Sequence, residues 1–317
     1  MKRQGPIVDV HHHALLPALT GGIDLGTVDI PAWSIDDSVA FMDKIGIDVA
    51  VLSLSSPGVP YGDAGKARDM ARRINETLAT YVVKRPDRFA AFATLPLPDI
   101  DAALRELEYA HDVLHLDGLG VMSNYGPYFG SAHYDPLFEE LNRRVCPIHI
   151  HPRPPTLAAN QDFGLPPSLY EFTFESTRVA VQVAYNNVFG RFPNLKLVLS
   201  HAGGTVPFLA KRLTYGPQIV AELKGKVPVD IIAELAKFYF DVAMVSGRFT
   251  LPALNALVAP DHILYGSDFP FMPVDDILES TSDVFDFAGY SGEDVRNIAS
   301  QNALRLLPRV AEQLNKR

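Results

Sequence analysis

Five polar residues stand where short apolar runs end, and their types suit metal and proton chemistry. His11, His12 and His13 follow Ile7-Val8-Asp9-Val10 directly. Side chains alternate along a strand, so His11 and His13 share one side while His12 points away. Two imidazoles on one side suit a divalent ion. His151 closes Pro147-Ile148-His149-Ile150-His151, with His149 on the same side but deeper. His201 ends the run that begins at Lys196 and opens into Ala202-Gly203-Gly204. Asp268 stands in Tyr265-Gly266-Ser267-Asp268-Phe269-Pro270. Cys146 is the only cysteine, which excludes an intrachain disulfide and a thiolate cluster and fits a reducing compartment. Any metal must therefore be held by histidines and carboxylates.

These residues form one site only if the elements carrying them converge. Eight β-branched or apolar runs recur: 7–10, 48–52, 89–94, 118–121, 147–150, 196–199, 239–242 and 263–265. Stretches at helical spacing separate them: 35–45, 66–84, 100–115, 135–144, 168–189, 206–223 and 251–258, with 273–287 and 292–313 after the last strand. This alternation predicts an α/β fold, a (β/α)8 TIM barrel forming a single domain over residues 1–317. In such a barrel the C-terminal strand ends build the active site, which is where all five residues fall. A doubly wound fold would instead offer a Gly-rich turn after its first strand, a place the three histidines occupy. The proline-rich stretch 152–167 after the fifth run is expected to be a lid or wall of the pocket.

The formal net charge is −9 and no Lys/Arg run interrupts the chain, which argues against a nucleic-acid partner and for a small-molecule one. No apolar stretch reaches the roughly 18 residues of a membrane span, so a cytoplasmic location is expected. Arg153, just after His151-Pro152, and Arg178 are candidates to hold a carboxylate bidentately. Trp33, Phe172, Phe174, Phe269 and Phe271 are candidates to line a pocket for a planar ligand. His111 and His115, four apart on a helix, are read as an exposed face.

The His-x-His of the first strand, His151, His201-Ala202-Gly203-Gly204 and Gly266-Ser267-Asp268-Phe269-Pro270-Phe271 resemble the amidohydrolase superfamily. More narrowly, the chain resembles its amidohydrolase 2 type, in the branch that contains aminocarboxymuconate-semialdehyde decarboxylase. The most specific stretch runs from Arg191-Phe192-Pro193-Asn194-Leu195-Lys196 through His201 to Arg212. The resemblance implies one divalent metal, zinc with manganese as the alternative, held by His11, His13, His151 and Asp268. It implies that His201 is an acid/base and not a ligand. Members with two metals bridge them with a lysine of the fourth strand, and Asp117–Met122 contains none. The resemblance further implies a homodimer in which Arg212 reaches the neighbouring subunit's site and meets a substrate carboxylate. One departure bears on substrate: Ser38 and Ala40 stand where those decarboxylases carry arginines.

Such a ligand set leaves an open position for water, whose pKa zinc lowers to about 7. The expected activity is non-oxidative decarboxylation of an aromatic or muconate-like carboxylic acid, with His201 and Asp268 moving protons and Arg153, Arg212, Phe271 and Trp33 binding substrate. A lactone, amide or ester hydrolase, or a hydratase, would use the same parts, and a ligand-binding barrel without catalysis is the remaining alternative.

Overall fold

The computed structural model describes residues 5–20, 30–60, 62–154, 165–245 and 247–316. Eight parallel strands run in chain order: β1 (Val8–His13), β2 (Val49–Ser53), β3 (Phe89–Ala93), β4 (Gly118–Met122), β5 (Pro147–His151), β6 (Lys196–Leu199), β7 (Tyr239–Asp241) and β8 (Ile263–Leu264). The sheet closes on itself. Val10 N–H donates to Tyr265 O, His13 N–H to Phe269 O and Asp268 N–H to His11 O, so the segment after β8 pairs with β1. Every predicted run is a strand, because each places buried β-branched or small apolar residues between turn-formers.

Two apolar layers result. Alternate residues of β1, β2, β3, β6 and β8, among them Val8, Val49, Val51, Phe92, Val198 and Leu264, form one cluster that only a barrel interior can gather. Ala303, Leu306, Leu307 and Val310 close it at the N-terminal ends of the strands. The larger cluster lies between strands and helices, where Ile74 and Leu78 of the helix Ala64–Lys84 are fully buried. Truncating either to alanine would cost about 2–5 kcal/mol.

β1 departs from strict alternation. Its pairing with β2 slips between Asp9 and His12, an irregularity that adds a residue to β1. Val8 and Val10 therefore face the interior cluster below, yet His11 and His13 face it above, while Asp9 and His12 both face the helices.

The helices Ile35–Ile45 and Asp135–Arg144 have the predicted bounds. The first is closed by a Ser34/Asp37 capping box and by Gly46 in the left-handed conformation. The predicted 206–223 helix instead breaks after Leu213 into Gly216–Ile219 and a 3-10 turn, at the Gly216-Pro217 pair. The predicted 292–313 helix is similarly interrupted before Pro308. The predicted lid at 152–167 falls mostly on residues 155–164, outside the described residues. No described helix is long and apolar enough to cross a membrane.

Candidate metal centre

His11, His13, His151 and Asp268 meet at the C-terminal mouth of the barrel, each buried, with one donor atom apiece lying within 4.8 Å of the others. His11 Nε2 is 3.0 Å from His13 Nε2 and 3.3 Å from Asp268 Oδ1, and His13 Nε2 is 3.1 Å from that oxygen. Metal–ligand bonds of about 2.0–2.1 Å put tetrahedral donors about 3.3–3.4 Å apart and octahedral ones about 3.0 Å apart. The separations fit a small divalent ion.

The tautomers fit as well. His11 Nδ1–H donates to Asp241 Oδ2 at 2.9 Å and His151 Nδ1–H to the Pro152 carbonyl at 2.8 Å, while His13 Nδ1 faces Ser53 Oγ at 3.4 Å. His11 and His151 thus turn Nε2 inward as the ligating atom, and His13 turns its Nε2 to the same point. Among the described residues, Asp268 Oδ1 is buried without a hydrogen-bond donor. Ring nitrogens and a carboxylate oxygen gathered at one point are a cation site.

Electrostatics point the same way. Burial alone would raise the Asp268 carboxyl, but His11 and His13 hold it well below the usual range, and Asp241 is held down likewise by His11 and His149. With no ion bound, burial disfavours a charged His11, yet Asp241 and Asp268 outweigh it and push His11 up to about 10, so a proton on Nε2 takes the place that an ion's charge would fill. His13 is pushed down to about 4, burial outweighing its bond to Asp268. Two ionised carboxylates in a buried pocket call for positive charge, which a dication supplies.

His201 stands beside this set. Its ring centroid is 5.0 Å from that of His11 and 6.0 Å from that of His151. Nδ1–H donates to the Ala243 carbonyl at 3.1 Å, leaving Nε2 as the atom that can exchange a proton. His201 and Asp268 both adopt left-handed backbone conformations, with φ of 56° and 58°. Non-glycine residues persist there only when their surroundings fix them. At His201 the sequence provides this through the turn it opens: a Cβ on Gly204 would lie 1.9 Å from the Thr173 carbonyl oxygen, so only glycine fits.

Asp268 is fixed from beneath by Asp9. That fully buried carboxylate accepts Ser267 N–H at 3.0 Å, Ser267 O–H at 2.6 Å, His11 N–H at 3.1 Å and His12 Nδ1–H at 3.1 Å. His12 then accepts from Ser38 Oγ at 2.8 Å, which accepts Trp33 Nε1–H at 2.9 Å. Ser38, noted above as a departure, orders the outer side of β1.

The predicted substrate-binding residues divide. Phe271 packs edge-on against His13 at 5.5 Å, and Phe172 does so against His151 at 5.6 Å, so both border the centre. Arg153 follows β5 with its backbone clasped by Ser123 and Asn124, which also bond buried Glu175. Arg178 pairs with Glu175 and Glu171. Trp33 contacts Ser38 and Tyr81 on the helix side of β1. Arg212 is exposed in the last turn of Val206–Leu213, away from the mouth. Asp241 was not foreseen. The signal was a carboxylate closing the apolar Tyr239-Phe240 run, the same pattern that singled out the histidines.

A family model described as amidohydrolase matches residues 8–309. The chain is 33% identical to 6-methylsalicylic acid decarboxylase of Penicillium expansum, over 98% of each chain. It is 31% identical to gamma-resorcylate decarboxylase of a Rhizobium species, over 86% of each. Among solved structures, a dihydroxybenzoic acid decarboxylase of a Polaromonas species, with bound manganese and the inhibitor 2-nitroresorcinol, superposes with a TM-score of 0.83. It is 27% identical, covering 96% of this chain and 97% of that one. Together with the barrel and the converging histidines, these matches show that the chain belongs to the amidohydrolase family.

Proposed function

We propose that this chain is a metal-dependent, non-oxidative decarboxylase of aromatic carboxylic acids that carry a hydroxyl ortho to the carboxylate. The observation that carries the reading is the convergence of His11, His13, His151 and Asp268 with His201 poised beside them. The relatives support the substrate class, since 6-methylsalicylate and gamma-resorcylate are both 2-hydroxybenzoates.

A divalent ion held by these four residues, zinc in our reading and manganese as the alternative, supplies a Lewis acid that orients and polarises the substrate's oxygens. The remaining chemistry belongs to the side chains. His201 Nε2, as imidazolium, gives its proton to the ring carbon that bears the carboxylate. The carbon–carbon bond then breaks, its electron pair returns to the ring, carbon dioxide leaves, and His201 regains a proton from water. Asp268, kept ionised, ligates and holds negative charge beside His201 while that proton moves. An ortho hydroxyl helps by feeding electrons to the carbon being protonated.

Phe271 and Phe172 give the ring apolar edges, and Arg153 meets a substrate oxygen from the loop after β5, while Trp33 orders β1 from its helix side through Ser38. The barrel acts as a single domain over residues 1–317, and the lone buried cysteine suits a cytoplasmic location. A second copy supplies Arg212 to complete the pocket in a homodimer. The exposed Phe208 and Phe249, 84% and 71% accessible on adjoining helices, support a covered face there. The test is carbon dioxide detection with a panel of 2-hydroxybenzoic acids beside lactones and esters. Release from the acids alone supports the reading, and hydrolysis of the lactones or esters alone replaces it.

A further inference from the structure

Asp241 lies at the end of β7, fully buried, and both of its oxygens are engaged. Oδ2 accepts His11 Nδ1–H at 2.9 Å and His149 Nε2–H at 2.8 Å. Oδ1 accepts the backbone N–H of His201 at 2.9 Å and of Ala243 at 3.1 Å. The Ala243 carbonyl in turn receives His201 Nδ1–H. One carboxylate therefore holds a metal ligand through one oxygen, and through the other both the backbone of the acid/base and the residue that orients its ring.

We propose that Asp241 is a positioning residue that couples the metal ligand His11 to the proton-transferring His201. Its Oδ2 fixes His11 as the Nδ1–H tautomer, which presents Nε2 to the ion and makes it a better donor, the usual effect of a carboxylate behind a ligating histidine. Its Oδ1 holds His201 at its left-handed φ, where the amide would otherwise be buried without a partner. No other carboxylate accepts from His201 N–H among the described residues.

All four groups around Asp241 are donors, so asparagine cannot replace it in either orientation. With its NH2 toward His11 and His149, donor meets donor, and His11 can recover a bond only by moving its proton to Nε2 and blocking the ion. With its NH2 toward the backbone, the amides of His201 and Ala243 lose their acceptor. A carboxylate that merely filled a buried position would tolerate the nearly isosteric amide at both functional atoms.

The inference rests on His11 being a ligand and His201 the acid/base. Its test therefore begins with binding, which is read without substrate. Asp241→Asn and Asp241→Ala are compared with wild type for zinc and manganese affinity by chelator competition, then for kcat, KM and the pH profile at saturating metal. Affinity is expected to fall roughly 10- to 100-fold. At saturating metal kcat is expected to stay at least about tenfold low, with a displaced pH profile and KM within about threefold, since proton transfer by a positioned group contributes roughly 10²–10⁴-fold. Unchanged metal affinity, or kcat fully restored by saturating metal, overturns the coupling. Wild-type protein that binds neither ion would instead sink the metal-centre reading itself. Should neither variant fold, nitrogen-15 histidine spectra of metal-loaded wild type decide: a His11 protonated at Nδ1 and a slowly exchanging His201 amide are expected. A His11 protonated at Nε2, or a fast-exchanging His201 amide, overturns the inference.

Discussion

Replacing His201 with alanine separates proton transfer from metal binding. The ring is not among the four converging donors, and its only described hydrogen bond is from Nδ1 to the Ala243 carbonyl at 3.1 Å. Losing one such bond costs about 0.5–1.5 kcal/mol, a fall of about 1–3 °C in Tm for a domain of this size. Losing the proton donor costs far more in rate: roughly 10²–10⁴-fold, or about 2.7–5.4 kcal/mol of barrier at about 1.36 kcal/mol per decade. The variant should thus fold, keep one metal ion per chain and turn over at least about 100-fold more slowly. Metal content by mass spectrometry, thermal melting and carbon dioxide release measure the three quantities on one preparation. An emptied site would make His201 a ligand. A full metal site with a rate loss under about threefold would remove His201 from the chemistry.

Other substitutions probe the centre and its frame. His11→Ala or Asp268→Ala should lose both metal and activity, and full metal occupancy in either would refute the ligand set. Gly204→Ala forces a Cβ to within 1.9 Å of the Thr173 carbonyl at a φ of 63°, so it should destabilise by about 2–4 kcal/mol in a denaturant titration; wild-type stability would contradict the close approach. After metal removal, His13 binds its proton near pH 4 in the folded chain but near 6.5 unfolded, so calorimetric Tm should fall as pH drops from 6.5 to 4. His11 has the opposite sign: its folded value of about 10 lies above 6.5, so its contribution is present below pH 6.5 and lost as pH rises toward 10. A Tm that is flat over both windows would contradict the buried charge balance. Mixing Arg212→Ala with His11→Ala, each inactive alone, should restore activity through heterodimers. No recovery despite demonstrated subunit exchange would end the shared-site idea.

The barrel was legible because its strands carry buried apolar runs between turn-formers, a signal that survives without any partner being known. The positions of the converging donors were legible because three histidines and an aspartate each follow such a run; His201 follows one too, and only the family resemblance set it apart from the other four. What escaped depends on geometry between strands. The extra residue in β1 reverses which side Asp9 faces, so its role beneath Asp268 could not be read from alternation. Asp241 lies inside the predicted 239–242 run, and its role depends on two histidine rings and two amides that other strands and the following turn bring to it. Trp33 carried the composition of a pocket residue, yet its indole N–H is bound to Ser38 on the far side of β1. Helix ends were misjudged where Gly216-Pro217 and Pro308 interrupt an otherwise amphipathic pattern.

The most direct test is the metal dependence of carbon dioxide release from 2,6-dihydroxybenzoate and 6-methylsalicylate. Protein stripped with a chelator and titrated with zinc or manganese should release carbon dioxide and the matching phenol in equal amounts, with activity saturating at one ion per chain. Release that persists undiminished in stripped protein, or loaded protein that yields no carbon dioxide from either acid while cleaving an ester or lactone, would contradict a metal-dependent aromatic-acid decarboxylase.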